Sequence, residues 1–260
     1  MKYLILIALV GFVLYLIFMS LTGQKYRKGM FGQSKIDGRT EEIPLRGNVF
    51  ANWYVEENAL KFSLRSTKNE QNLLCAFILK WILEGRITVI PDGRKRVSLR
   101  MILETGFTDR TEMNLYEMLL AAAGKDYILE SREFKRWAKR NYQTLDEYPR
   151  RAEVRGKRYL LSRGWLQGNR KATEEGMEEL RKAIEFKNQL GRLMTLPRED
   201  QWKDYLVLGA LYGCLGKMDK ALRTQLPGDM LLAVQAAQLM ADAGYRAAQN
   251  ERQEEEQRTN

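Results

Sequence analysis

The chain has 260 residues, 45% hydrophobic and 29% charged, with a formal net charge of +10. This composition is typical of a folded protein and excludes a largely disordered one. Because histidine is absent, imidazole catalysis and histidine-ligated metal sites are excluded as well. The two cysteines, Cys75 and Cys214, lie in separate apolar helical runs. That placement favours buried thiols in a reducing compartment.

An apolar segment over residues 4–21, LILIALVGFVLYLIFMSL, carries no charged residue. As a helix it would be about 27 Å long, close to the hydrocarbon thickness of a bilayer. We therefore predict a transmembrane anchor over residues 1–23. The competing interpretation is a cleaved signal peptide, which would require a more basic start than Lys2 and a small-residue cleavage site.

The flanks of this segment predict its orientation. Residues from about Lys25 onward carry an excess of lysine and arginine, so the positive-inside rule places them in the cytoplasm. We expect a single-pass plasma-membrane protein with its N-terminus outside. Residues 24–48 contain several glycines and are predicted to be a juxtamembrane linker.

Residues 49–108 are predicted to form a first winged-helix-like unit. Apolar residues recur at helical spacing from Leu73 to Ile82, which predicts a helix over 69–84 that ends at Gly85. The runs ITVI and RKRVSLRMI surround the turn residues PDG at 91–93 and predict a β-hairpin. A helix followed by a short basic hairpin is typical of the end of a winged-helix unit.

Residues 109–196 are predicted to form a second winged-helix-like unit of helices and a short strand. Its helix starts are predicted at Asp109 with Glu112, at Ser131, at Pro149 and at Thr173. The helix that follows Thr173 is expected to extend to Met194. Beyond it, residues 197–249 are predicted to be C-terminal helices, with a buried helix over 201–214 and an amphipathic one over 229–248. Residues 250–260 are predicted to be a disordered tail.

The fold class is accordingly mainly α with small β-hairpins. We expect one N-terminal transmembrane helix, tandem winged-helix-like units and a C-terminal helical segment.

The positive charge is concentrated between residues 132 and 171. This stretch holds 13 lysines and arginines against 4 acidic residues, a net charge of +9. Five of the cations recur at i, i+3, i+4, i+7 and i+8, which predicts one continuous helical face. The candidate basic interaction face consists of Arg132, Lys135, Arg136, Lys139, Arg140, Arg150, Arg151, Arg155, Lys157 and Arg158.

Three explanations of this charge remain open from the sequence. The face is simply solvated, or it docks on the anionic inner leaflet of the membrane, or it binds nucleic acid. No catalytic, cofactor-binding or metal-ligating residues are identified, because the chain has no phosphate-binding glycine loop and no calcium-loop pattern. We therefore expect no cofactor and no enzymatic activity.

The segments LLCAFILKWILEGRI (73–87) and QWKDYLVLGALYGCLGKMDKAL (201–222) resemble the YciQ-like predicted membrane proteins, a family without an established function. Ile43 with Pro44, the block GKDYILESREFKRWAKRNY, and Thr173 with Gly176 fit the same pattern. The resemblance covers about residues 1–228, corresponding to the cytoplasmic C-terminal part and the preceding membrane helix. It implies an anchor followed by winged-helix-like cytoplasmic units.

The chain departs from that family in three respects. Family members usually carry a large extracytoplasmic β-rich domain before the membrane segment, so this chain is expected to be a shortened member or to lack an upstream partner segment. Cys75 stands where a smaller residue is common, and Gly209 stands where alanine is usual. Both residues are compatible with helix packing.

The leading functional hypothesis is a membrane-anchored, non-enzymatic interaction module or adaptor. Its basic face would bind a protein partner or the anionic inner leaflet. The alternative is a membrane-bound winged-helix regulator that binds DNA, which a membrane tether makes less favourable. No small-molecule substrate is indicated.

Overall fold

A computed structural model describes residues 36, 38–58, 67–92, 96–103, 106–168 and 171–259. Over these ranges the fold is mainly helical with small antiparallel sheets, which confirms the predicted class at that level. No helix in these ranges is apolar and long enough to cross a bilayer, and the predicted anchor lies outside them. The elements are α1 (Val49–Asn58), α2 (Thr67–Leu83), β1 (Ile87–Asp92), β2 (Arg96–Met101), α3 (Arg110–Ala123), β3 (Ile128–Glu130), α4 (Ser131–Arg140), α5 (Tyr142–Ser162), β4 (Leu166–Gln167), β5 (Lys171–Ala172), α6 (Glu174–Leu190), α7 (Trp202–Leu211), α8 (Leu215–Gln225) and α9 (Gly228–Thr259).

Helix α1 lies at the centre of the fold, and its residues from Val49 to Glu56 are all buried. It packs against α5 along much of its length and also contacts α2, α6 and α7. No periodic apolar stripe predicts this helix, because a helix surrounded on all sides needs no polar face. Its buried polar side chains must therefore find partners inside the protein.

Helix α2 and the hairpin that follows confirm the prediction for residues 69–101. The apolar stripe of α2 is buried, and Gly85 ends the helix with a positive φ of 71°. The hairpin turn lies later in the chain than predicted, however, because β1 continues through Pro91, which pairs with Val97. Proline is tolerated there because β1 is the edge strand of its sheet.

The third strand of this sheet comes from the second predicted unit. Strand β3 pairs antiparallel with β2, so that Leu99 lies opposite Leu129. One hydrophobic core runs from α1 to α9 and takes side chains from both predicted units. The sequence boundary at residue 108 therefore falls inside a shared sheet and a shared core.

The predicted start of α3 is confirmed. The Asp109 carboxylate accepts hydrogen bonds from the backbone N–H groups of Thr111 (2.8 Å) and Glu112 (3.1 Å). Glu112 does not complete the expected capping box, because its side chain turns into the core. There its Oε1 accepts a hydrogen bond from the Trp81 indole (2.8 Å) and forms an ion pair with Lys80.

Two predicted helix starts in the next segment are wrong. Helix α4 is capped by Glu130, in a reciprocal capping box with Glu133, and Ser131 is its first residue. Helix α5 begins at Tyr142, and Pro149 lies in its interior. The missing N–H of Pro149 is tolerated because the surrounding turns pack on α1, where the Pro149 carbonyl accepts a hydrogen bond from the Trp53 indole (2.9 Å).

The helices that follow bear out most of the remaining predictions. The Thr173 hydroxyl caps α6 by accepting a hydrogen bond from the Gly176 N–H (3.0 Å). Helix α6 ends at Leu190 rather than Met194. Helix α7 is buried from Tyr205 to Leu211, as expected of a core helix.

The predicted disordered tail is helical instead. Helix α9 is 32 residues long and continues to Thr259. Glutamate, glutamine and arginine are good helix formers, and Arg252 and Arg258 form i,i±4 ion pairs along the helix. Arg252 also contacts Asp146 of α5 (3.5 Å), which holds this end of α9 against the body.

The predicted linker over residues 24–48 is also wrong for its described part. Residues 44–47 form a 3-10 turn, and Leu45 is fully buried in a small core with α1, α5 and α6. The Leu45 N–H donates to the Glu179 carboxylate (3.3 Å), and the Glu41 carbonyl accepts a hydrogen bond from the Tyr205 hydroxyl (3.0 Å). This segment is therefore part of the folded body.

Gly156 sets the closest approach between α1 and α5. A Cβ atom at this position would lie 2.0 Å from the Phe50 carbonyl oxygen, which belongs to the backbone of α1. Gly216 in α8 provides a contrast, because a Cβ there would meet no atom within 4 Å. Both glycines are helical, so any difference between them reflects packing.

We expect Gly156→Ala to lower the free energy of unfolding by about 3 kcal/mol or more, because α1 must move away from α5. Gly216→Ala should instead be neutral or stabilise the protein by up to about 1 kcal/mol through helix propensity. Denaturant unfolding of both variants measures the difference. Equal midpoints for the two variants would contradict the close approach of α1 and α5.

Candidate functional site

The predicted cations of α4 lie on one exposed face, called here the α4 basic face. Its members are Arg132, Lys135, Arg136, Lys139 and Arg140. The opposite side of the helix buries Phe134 and Ala138. The structure thus places these five cations together as the helical spacing predicts.

Packing on α9 fixes the direction of the α4 basic face. A Cβ atom at Gly244 of α9 would lie 2.1 Å from the Phe134 ring, so glycine is required at this position for the ring to pack against α9. The Phe134 ring also stacks near Trp137, with 6.3 Å between ring centroids. Because its apolar side is held against α9, α4 can present its cations only outward.

Few carboxylates neutralise the α4 basic face. Arg136 lies 3.9 Å from Glu133 with 70% of its side chain exposed, and such a surface pair contributes little. Lys139 lies 3.6 Å from Glu251 of α9. Arg132, Lys135 and Arg140 form no ion pair with any residue that the structure describes. Most of the charge of this face is therefore available to an external anion.

Helix α5 adds a second exposed group, the α5 basic face, made of Arg150, Arg151 and Arg158. Arg151 pairs with Glu147 at 2.8 Å, and both side chains are about half exposed. Two aliphatic side chains lie on the same face, since Val154 is 49% exposed and Leu161 is 39% exposed. This face therefore combines cations with exposed apolar surface.

Two predicted members of the basic face are not openly exposed. The Arg155 guanidinium is half-buried and hydrogen-bonds Oδ2 of Asp109, whose other oxygen caps α3. Arg155 thus ties α5 to the start of α3, which is a structural role. Lys157 is also half-buried. Spacing alone cannot separate these residues from their exposed neighbours, because the carboxylate that binds Arg155 lies 46 residues away.

The sequence does not indicate a large cleft, which has a volume of about 990 Å³. It lies among α2, the hairpin, α8 and α9. Its lining includes amide side chains (Gln71, Asn72 and Gln235) and aliphatic ones (Val97 and Leu232). The Cys75 thiol also lines it, but burial raises the pKa of that thiol to about 12. A thiol with so high a pKa is not a nucleophile at neutral pH.

The described residues show no cluster of three or more acidic or thiol side chains that could hold a metal ion. No family model, curated protein or solved structure matches the chain.

We expect Arg155→Gln to lower the free energy of unfolding by about 1 kcal/mol, because it leaves the Asp109 carboxylate without its charged partner. Arg158→Gln is the matched control on the same helix and should change stability by less than about 0.5 kcal/mol. Thermal or denaturant unfolding checks both values. A loss of similar size in both variants would show that Arg155 has no special role in holding α3 and α5 together.

Proposed function

We propose that the chain is a non-enzymatic interaction module that docks its α4 and α5 basic faces on an anionic lipid surface. The observation that carries this proposal is the outward, largely unpaired row of cations on α4. Each lysine or arginine close to an anionic leaflet contributes about 1 kcal/mol of attraction. Five such residues on one helix are enough to orient a tethered body.

The composition of the α5 basic face favours lipid over DNA. Val154 and Leu161 are exposed among its arginines. At a bilayer surface, aliphatic side chains enter the boundary of the acyl region while cations meet the headgroups. A DNA backbone would pair with the cations but offers these two side chains less apolar surface than the acyl boundary does.

The proposal includes the membrane anchor and the YciQ-like relationship. The uncharged segment over 4–21 and the basic residues after it support an anchor whose following residues are cytoplasmic. An anchor would keep the basic faces at high local concentration near the headgroups, so that weak docking suffices.

We also infer that the two helix–hairpin runs are winged-helix-like. The order α2, β1, β2 and the order α4, α5, β4, β5 support this interpretation. Since winged helices frequently bind DNA, DNA binding is the competing outcome of the experiment that follows.

The docking proposal can be tested on the full-length chain in lipid nanodiscs. We expect Lys135 and Lys139 to be acetylated more slowly in phosphatidylserine-containing nanodiscs than in phosphatidylcholine nanodiscs, as measured by mass spectrometry. The double variant Arg132→Glu, Arg136→Glu leaves both reporter lysines in place. Because each cation contributes about 1 kcal/mol, two reversals should weaken docking by at least about 30-fold and abolish the protection.

The control variant Lys220→Glu, Arg223→Glu makes the same charge change on exposed positions of α8 and should keep the protection. Added salt should remove the protection in the wild-type chain, because exposed charges are screened. Equal acetylation in both nanodiscs would rule out docking on lipid. If duplex DNA protected the same lysines in neutral nanodiscs, the DNA-binding regulator would replace the present proposal.

A further inference from the structure

A small cavity of about 290 Å³ lies where α6 ends and α8 begins, away from the α4 and α5 basic faces in the sequence. Four of its lining side chains are cations, namely Arg39, Lys187, Arg192 and Lys217. Of the residues that the structure describes, no acidic one lines it. The sequence gives no sign of this cluster, because its members come from three separate parts of the chain.

Among the residues that the structure describes, only one of the four cations has an ion-pair partner. The Lys187 ammonium lies 2.8 Å from both carboxylate oxygens of Glu56, which is buried in α1. Arg39, Arg192 and Lys217 form no ion pair with any of the described residues. Counted over the described residues, the cavity therefore has an excess of three positive charges.

Specific contacts hold these separate segments around the cavity. The Asn188 amide donates to the carbonyls of Ile36 (3.0 Å) and Gly38 (3.2 Å), which positions the segment that carries Arg39. The stem of Lys217 runs beside Gly191, since a Cβ there would lie 3.7 Å from the Lys217 Cδ. The fold thus brings together around the cavity the separate segments that carry these cations.

Buried groups form the floor of the cavity. The Tyr212 ring lies beneath the Lys187 ammonium, 5.6 Å from ring centroid to Nζ, and its hydroxyl donates to Asn52 (2.6 Å). The Cys214 thiol is buried, and burial raises its pKa even though Lys187 and Lys217 both act to lower it. The Cys214 thiol is thus within the electrostatic influence of both ammonium groups.

Helix-end electrostatics explain only part of this arrangement. Lys187 and Arg192 lie near the C-terminus of α6, where cations are ordinarily favourable. Lys217 lies in the first turn of α8, where the helix dipole disfavours a cation. The first turn of α8 also lacks an acidic residue and a side-chain cap. An external anion in the cavity would offset the charge of Lys217 at this helix start and of the cations around it.

We propose that this cavity binds a phosphate group, carried by a small phosphorylated solute or by a phosphorylated lipid headgroup. Its volume lies at the low end of small-molecule sites, which suits one or two phosphate groups better than a large ligand. The site is independent of the proposed docking of the α4 and α5 basic faces, and either proposal can hold without the other.

The test is calorimetric titration of the full-length chain in a nonionic detergent, at low ionic strength. The probes are inorganic phosphate, pyrophosphate and a water-soluble short-chain phosphatidylinositol phosphate. We expect saturable binding that weakens about tenfold or more in Arg192→Gln and in Lys217→Gln, since each removes a charged donor. Lys220→Gln, an exposed cation on the same helix that does not line the cavity, should bind like the wild type.

The probes also distinguish the two sources of phosphate. Tight binding of pyrophosphate points to a soluble ligand, whereas binding of the short-chain lipid alone points to a headgroup. Unchanged melting temperatures in the variants would show that they remain folded. The proposal is overturned if no probe binds, or if both glutamine variants bind as tightly as the wild type.

Discussion

The burial of α1 on every side is the constraint on which the rest of this structure depends. A fully buried helix must satisfy each of its polar side chains within the protein, because an unpaired polar group in a core costs about 1–3 kcal/mol. Asn52 meets this demand with the Pro44 and Asn48 carbonyls and with the Tyr212 hydroxyl, while the Trp53 indole donates to Pro149. Glu56 completes the set through its ion pair with Lys187. These partners lie on separate segments of the chain between Pro44 and Tyr212, so α1 links parts of the chain that are far apart in sequence.

The same constraint determines where charge is left over. Glu56 is ion-paired with Lys187, and Asn188, one residue further along α6, binds the carbonyls of Ile36 and Gly38. The contacts that bury α1 therefore also assemble the cationic cavity above Tyr212. The close packing of α1 on Gly156 has a parallel effect on α5, because it turns the buried side of that helix inward and its arginines outward. The cationic cavity and the α5 basic face thus depend on how α1 is enclosed, whereas packing on α9 sets the direction of the α4 basic face.

Patterns that act over a few residues could be predicted from the sequence, and those that act over long separations could not. The apolar stripe of α2, the Asp109 and Thr173 caps and the exposed face of α4 all depend on neighbours within about one or two helical turns. The sequence wrongly predicts a helix start at Pro149 because the packing that tolerates proline there involves Trp53, 96 residues away. The helical end of α9 is not predicted because its polar composition is also typical of a disordered segment. Asp146 and Lys139, which contact this end of the helix, are distant in sequence. Neither α1 nor the cationic cavity leaves any local periodic signal.

Net charge is a poor guide to function in this chain because the fold uses its cations in two ways. Arg155 joins α5 to the Asp109 cap, Lys80 pairs with the buried Glu112, and Lys187 pairs with Glu56. Each of these holds a carboxylate that would otherwise be poorly solvated, so removing any of them would weaken the fold before it affected binding. Arg132, Lys135 and Lys217 have no such partner among the described residues, so they cost nothing to expose and can respond to an external anion. The distinction depends on which carboxylates the core buries. For this reason the net charge of +9 over residues 132–171 overstates the charge that this stretch offers to a partner. Lys217 and Arg192 lie outside the stretch and are not included in that sum.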